Sequence, residues 1–221
     1  MARAMEKIEN PGRDRILGRI RSALQTPAVL RPSAPHGEIF APFADPLERF
    51  QRECSINLTE CFVTPDYFAA SAKISEILLT IPPGEIFLQD APWLRRMAAT
   101  WAARPDLRWS SEGPAAEATR ATVTMAELLV AATGSVVVSA SCGGRGASIA
   151  APVHIVVAQI AQLAPTLADG LEWMDARGIV KRNSMVTLIT GPSRTGDIEK
   201  IIVMGAHGPQ RLIVVLAMRD E

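Results

Sequence analysis

Apolar residues recur along this chain with two periods, one helical and one extended. Ile16, Ile20 and Leu24, with Leu17 beside them, repeat at helical spacing over residues 12–24. Arg13, Arg15, Arg19 and Arg21 are read onto the other face, which predicts an amphipathic first helix. That arginine face reads either as solvated or as a dock for an acidic partner protein. Prolines at 27, 32, 35, 42 and 46 then interrupt any periodicity. Residues 1–45 are therefore expected to form an N-terminal helix and a proline-rich arm, and residues 46–221 a single α/β domain.

Beyond residue 46 short apolar runs alternate with amphipathic ones. Cys61-Phe62-Val63 leads into Thr64-Pro65-Asp66, where Thr64 is placed to cap, and Pro65 to open, a helix burying Phe68, Ile74, Ile77, Leu78 and Ile81. Ile86-Phe87-Leu88 reads as a strand, and Pro92 opens a helix with Leu94, Met97, Ala98 and Trp101 inside. Residues 128–132 and 135–140 are apolar runs across the pair Thr133-Gly134. They predict a strand, tight turn and antiparallel strand inside a mostly parallel sheet. Residues 154–158 form another buried strand, and Leu163, Leu167, Leu171 and Met174 line a helix ended by Gly178. The runs 185–190 and 211–216 are expected in one sheet.

Candidate chemistry concentrates in the polar loops. Residues 185–190 empty into Gly191-Pro192-Ser193-Arg194-Thr195-Gly196-Asp197-Ile198-Glu199, read as a loop and the start of a helix running to about Met204. A helix start of this kind presents free N–H groups and a positive dipole end to an anion, and Arg194 adds a planar cationic fork. Ser193, Thr195 and Asp197 equally make an ordinary helix cap. Ligands of parallel sheets sit at the carboxyl ends of strands, so three loops are expected to converge there. They are Thr133-Gly134-Ser135, residues 141–146 with Gly143, Gly144 and Arg145, and residues 190–197 with Gly191, Ser193, Arg194, Thr195 and Asp197. His154 at a strand start and His207 in a turn are candidate proton acceptors; the alternatives are a core histidine and a turn residue bonded to backbone. On this reading Arg194→Ala abolishes anion binding at little cost in stability.

Charge and cysteine usage narrow the field. Lys plus Arg and Asp plus Glu number 23 each, so no global field recruits nucleic acid or an anionic membrane. No apolar run approaches the roughly 20 residues of a bilayer span, and Arg3, Glu6 and Lys7 replace a signal-peptide core, so a cytoplasmic location is expected. Cys54, Cys61 and Cys142 are widely spaced and form no C-x-x-C pair. No metal, iron–sulfur cluster or other cofactor is expected in this chain, and Cys142 reads as a small buried hydrophobe.

Several of these motifs together resemble the LUD domain family, typified by lactate utilization protein C, over about residues 120–217. They are Thr133-Gly134-Ser135, the Gly/Arg loop, Pro152-Val153-His154-Ile155-Val156-Val157, residues 191–199 and Gly205-Ala206-His207-Gly208-Pro209. The resemblance implies an α/β fold, a three-layer α/β/α sandwich of the sugar-phosphate isomerase and CoA-transferase-like (NagB/RpiA) kind. It implies a non-redox subunit or accessory protein of an L-lactate oxidation system, binding a small organic acid or the iron–sulfur partner subunits. The alternative is a stand-alone enzyme or binder for a phosphorylated sugar or acyl-CoA, which rests on fold analogy. Where many relatives carry an acidic residue before the Thr-Gly turn this chain has Ala132, which removes that carboxylate.

Overall fold

The structure is a computed structural model, and it describes residues 11–25, 43–101, 105–195, 203–204 and 208–220. The chain divides into two compact units, Met1–Ile39 and Phe40–Glu221. In the first, α1 (Pro11–Leu24) starts on a proline and buries none of its residues. Arg13 lies four, seven and eleven residues before Leu17, Ile20 and Leu24, so it extends their stripe instead of opposing it.

The second unit alternates strands and helices for local reasons that can be named. Asp45 accepts from the backbone N–H groups of Leu47 and Glu48 and starts α2 (Pro46–Ile56). β1 (Glu60–Thr64) follows, then α3 (Tyr67–Leu79), whose cap is Asp66, accepting from Ala69 N, and not Thr64. The shift turns Phe68 outward, exposed, and buries Tyr67 in its place. Next come β2 (Ile86–Leu88), α4 (Pro92–Ala98), β3 (Leu107–Trp109), β4 (Ala121–Met125), β5 (Leu128–Val130) and β6 (Ser135–Ser139). The chain continues through β7 (Val153–Gln159), β8 (Leu163–Ala164), α5 (Leu167–Ala176), α6 (Ile179–Arg182) and β9 (Val186–Ile189). It closes with β10 (Arg194–Thr195), β11 (Val203–Met204) and β12 (Arg211–Ala217). In α5 the buried positions are Gly170 and Met174, while Leu171 is exposed and Leu163 belongs to β8.

Six strands form one sheet in the order β1-β12-β7-β4-β2-β3, with every neighbouring pair parallel. The antiparallel hairpin β5–β6 does not join it. It sits in a second sheet, β8-β5-β6-β9, in which β6 also pairs antiparallel with β9. The runs 185–190 and 211–216 consequently lie in different sheets. An apolar run states that a strand is buried, and either sheet meets that demand. The fold is thus mixed α/β, a parallel six-stranded sheet with a small antiparallel sheet added.

Three clusters of side chains hold these layers together. Ile74, Leu78, Leu94 and Met97 of α3 and α4 pack on Ile86, Val123, Ile155 and Ile213 on one face of the large sheet. On its other face Val156, Leu212 and Val214 meet Phe50 and Cys54 of α2 and Leu129 and Val136 of the small sheet. Leu128, Val130 and Val137, on the far side of the small sheet, close against Met174 and Ile179. The second face of the large sheet is therefore covered by one helix and a sheet. β4 escapes the sequence reading because its Ala-Thr-Val-Thr-Met pattern places Thr122 and Thr124 inside, both fully buried. Among the described residues no helix is long and apolar enough to cross a membrane.

Candidate functional site

The predicted site residues separate into two groups at opposite ends of the large sheet, with His154 buried between them. At the amino ends, the 133–135 and 190–194 segments meet around the end of α2. Thr133 Oγ1 and Ser135 Oγ lie 2.8 Å apart, and Ser135 Oγ is 2.6 Å from Thr190 Oγ1. Asn57, the residue that ends α2, donates from Nδ2 to the carbonyls of Glu53 and Thr133 at 2.9 and 3.0 Å. Its own carbonyl accepts from Arg194 Nη2 at 2.6 Å. Arg194 thus sits at the negative end of a helix, where a cation is stabilised.

Of the helix expected after Gly191, residues 196–202 lie outside the described residues. Arg194–Thr195 pairs antiparallel with Val203–Met204 as a short ribbon. Residues 201–204 are Ile-Ile-Val-Met, a run that fits a helix end or a strand equally well by pattern. Asp197 and His207 lie outside the described residues, as does the side chain of Thr195. Gly191 and Ser193 line a cleft of about 810 Å³ with Ile149, Pro152, Gly208 and Gln210, and its described lining carries no charged side chain. Arg194→Ala is now expected to cost about 1 kcal/mol of stability, because it removes a charge-assisted bond to a helix end from an exposed position. Urea denaturation midpoints measure this; an unchanged midpoint would show that the contact contributes nothing.

At the carboxyl ends, the 141–146 loop sits where a parallel sheet places its ligands. Gln89, directly after β2, donates from Nε2 to the Ser141 carbonyl, and its Oε1 accepts from Met125 N at 2.7 Å. Asn183 Oδ1 accepts from both the backbone N–H and the hydroxyl of Ser141, at 3.0 and 2.5 Å. The loop so held lines a cavity of about 420 Å³ with Ser110, Gly113 and Pro114, to which Gly143, Gly144 and Arg145 contribute. The N–H groups of Gly143, Arg145 and Gly146 donate no hydrogen bond within the described residues. Gly144 N–H donates to the Ala140 carbonyl at 2.9 Å, which leaves Arg145 and Gly146 as two successive unpaired donors of the kind that make an anion-binding concavity.

Neighbouring cations are already committed. Arg95 grips Asp90 with two parallel bonds, Nε to Oδ1 at 2.8 Å and Nη2 to Oδ2 at 2.9 Å, and these hold the Asp90 carboxyl down at about 2. Arg108 pairs with Glu85 at 3.3 Å. Arg145 is exposed and donates only its Nε, to Ser184 Oγ at 3.2 Å, so its two terminal amino groups face no protein acceptor among the described residues. The charged fork sought at Arg194 is better provided at Arg145. Gln89 and Asn183, which aim this loop, carry no sequence signal of their own. Each touches residues dozens of positions away.

His154 lies in the core. It is fully buried, its Nε2 is 2.9 Å from Thr124 Oγ1, and its Nδ1 has no partner among the described residues. Burial pushes its pKa down to about 4, so at neutral pH the ring is uncharged. Cys142 is buried beside Ser139, and burial pushes its thiol up to about 11, far from a nucleophile's range. Glu127 accepts from Ser139 Oγ at 2.5 Å, a contact that no sequence motif marks. No group of three or more His, Cys, Asp or Glu suited to a metal occurs among the described residues.

Comparison with known proteins bears on the family and the fold. The LUD domain family model matches residues 47–217. Among curated relatives, "Lactate utilization protein C" of Deinococcus radiodurans is 33% identical over 98 residues, 43% of this chain and 45% of that protein. The proteins of the same name from Macrococcus caseolyticus and Bacillus subtilis are 32% and 29% identical over 42% and 46% of this chain and 42% and 43% of their own lengths. The chain's matches span a little under half the length of these relatives. A crystal structure of a DUF162 family protein from Deinococcus radiodurans superposes with a TM-score of 0.61 at 18% identity. It covers 80% of this chain and 99% of its own, and shares the fold.

Proposed function

The chain belongs to the LUD domain family, and on that premise we propose that it is a non-redox component of an L-lactate oxidation system, working beside iron–sulfur subunits. The observation that carries this reading is the match over residues 47–217, together with relatives named for lactate utilization. The cysteines support a non-redox part, since Cys54, Cys61 and Cys142 have none of the spacing that holds a cluster. In this reading the 141–146 loop binds the carboxylate of a small organic acid, with Arg145 as the cation and the loop N–H groups as further donors. A three-carbon acid underfills a cavity of about 420 Å³, and that volume favours a second reading, a phosphorylated sugar or acyl-CoA at the same loop.

Two measurements test this. Deleting the gene is expected to abolish growth of the source organism on L-lactate, with rescue by the wild-type chain; normal growth of the deletion strain overturns the role. Lactate or pyruvate at about 100 times its dissociation constant is expected to stabilise the purified chain by about 3 kcal/mol. Arg145→Ala should lose that stabilisation while unfolding at the wild-type midpoint without ligand. Stabilisation by sugar phosphates or CoA alone selects the second reading.

A further inference from the structure

We propose that α1 is a docking helix that inserts its apolar stripe into an acid-rimmed groove on a partner protein. The proposal rests on the preceding reading for the partner's identity, an iron–sulfur subunit of the same system. Ile16, Ile20 and Leu24 are 57%, 50% and 79% exposed, and the helix buries no residue. Four-residue spacing puts these three in one line with Leu17 alongside, the anchor pattern by which an amphipathic helix fills a groove. Leaving such a stripe in water forfeits the burial that normally stabilises a short helix.

Charge decides the kind of groove. The helix carries four arginines against the single Asp14, within a chain whose 23 basic and 23 acidic side chains balance. Arg15 and Arg19 border the stripe on one side and Arg21 on the other. A groove with carboxylates along both rims complements that arrangement, giving faster and more selective encounter, while the aliphatic anchors supply affinity. Trp and Phe, the aromatic anchors of a helix lying on lipid, are missing from residues 11–24, which favours protein over membrane.

Affinity of the full chain for purified iron–sulfur subunits of the lactate system is the test, by interferometry with the subunits immobilised. Ile16→Glu and Ile20→Glu should each weaken binding about tenfold or more, as loss of a central anchor does. Arg15→Glu with Arg19→Glu should slow association, and the wild-type chain should bind less well as NaCl rises from about 50 to about 300 mM. None of these positions is buried, so unfolding midpoints should stay at the wild-type value and separate lost docking from lost fold. Equal binding by all variants overturns the docking helix and leaves the lactate role standing. No binding by the wild-type chain overturns both the helix and the partner reading, while loss of growth on L-lactate still reports the system-level role. Sedimentation of the wild-type chain with phosphatidylglycerol vesicles, lost in Ile20→Glu, overturns the proposal in favour of a lipid surface.

Discussion

Gly191→Ala and Gly134→Ala are each expected to destabilise the Phe40–Glu221 unit by about 3 kcal/mol or more. Both glycines hold a left-handed backbone, φ 85° and 62°, which an L side chain adopts at a cost of about 1 kcal/mol or more. The larger cost is steric. A Cβ on Gly134 would lie 2.6 Å from Cys54 N and 2.7 Å from the carbonyl carbon of Glu53, and one on Gly191 would fall on the Asn57 carbonyl oxygen. Every one of these atoms is backbone at the end of α2. They can retreat only if α2 moves, and Phe50 and Cys54 anchor that helix in the core at 0% exposure. Gly146→Ala is the control, since its added Cβ meets nothing within 4 Å, and it should change stability by no more than about 0.5 kcal/mol. Urea unfolding of the three variants measures the difference. Midpoints of Gly134→Ala and Gly191→Ala that match Gly146→Ala would refute the close approach of both turns to α2.

Acidification should expose the second large effect, through His154. Its folded pKa is lowered to about 4 by burial, against an ordinary value of 6.5. Above pH 6.5 the ring is neutral in folded and unfolded chains alike and contributes no pH dependence. Between pH 6.5 and about 4 the unfolded chain takes up the proton and the folded one does not, so stability falls as pH falls. The loss approaches about 3 kcal/mol near pH 4. Glu85 and Asp90, whose carboxyls are held low by Thr119 and by Arg95 respectively, begin to lose their contributions as pH falls below the ordinary values of 4.5 and 3.8, so Glu85 adds to the decline at the acid end of this window. Their effects are common to the wild type and to His154→Gln. That variant keeps a polar group for Thr124 but has no proton to gain, so the pH 6.5 to 4 decline should be shallower in it. Parallel stability curves for the two proteins would place the histidine in contact with water.

Much of the local structure was readable from residues 46–221 because it is set by neighbours in sequence. Pro46 and Pro92 open helices, Gly134 turns a hairpin, and Val153–Gln159 and Arg211–Ala217 are strands. Structure departs from the sequence pattern where one local pattern serves two structures. Thr64 and Asp66 are both capping residues, and only the path of the chain out of β1 selects the second. Val203 and Met204 end an apolar run that fits a helix or a strand, and their pairing with Arg194–Thr195 makes these two residues strand.

The candidate site shows the same division more sharply. Sequence motifs nominated three loops for the carboxyl ends of the strands, but of their described residues only the 141–146 loop lies there. Arg194 finds the Asn57 carbonyl 137 positions away, while Arg145 is aimed by Ser184 and its loop by Asn183 and Gln89. By itself, the sequence determined the alternation of strands and helices, the buried runs and the family motifs, because periodic burial and turn chemistry act over a few residues. Tertiary structure alone decided which sheet each strand joins, at which end of it each loop lies, and that His154 is sealed in the core. Strand partners and helix ends are chosen by packing between distant segments, and an apolar run is equally satisfied by any sheet that buries it.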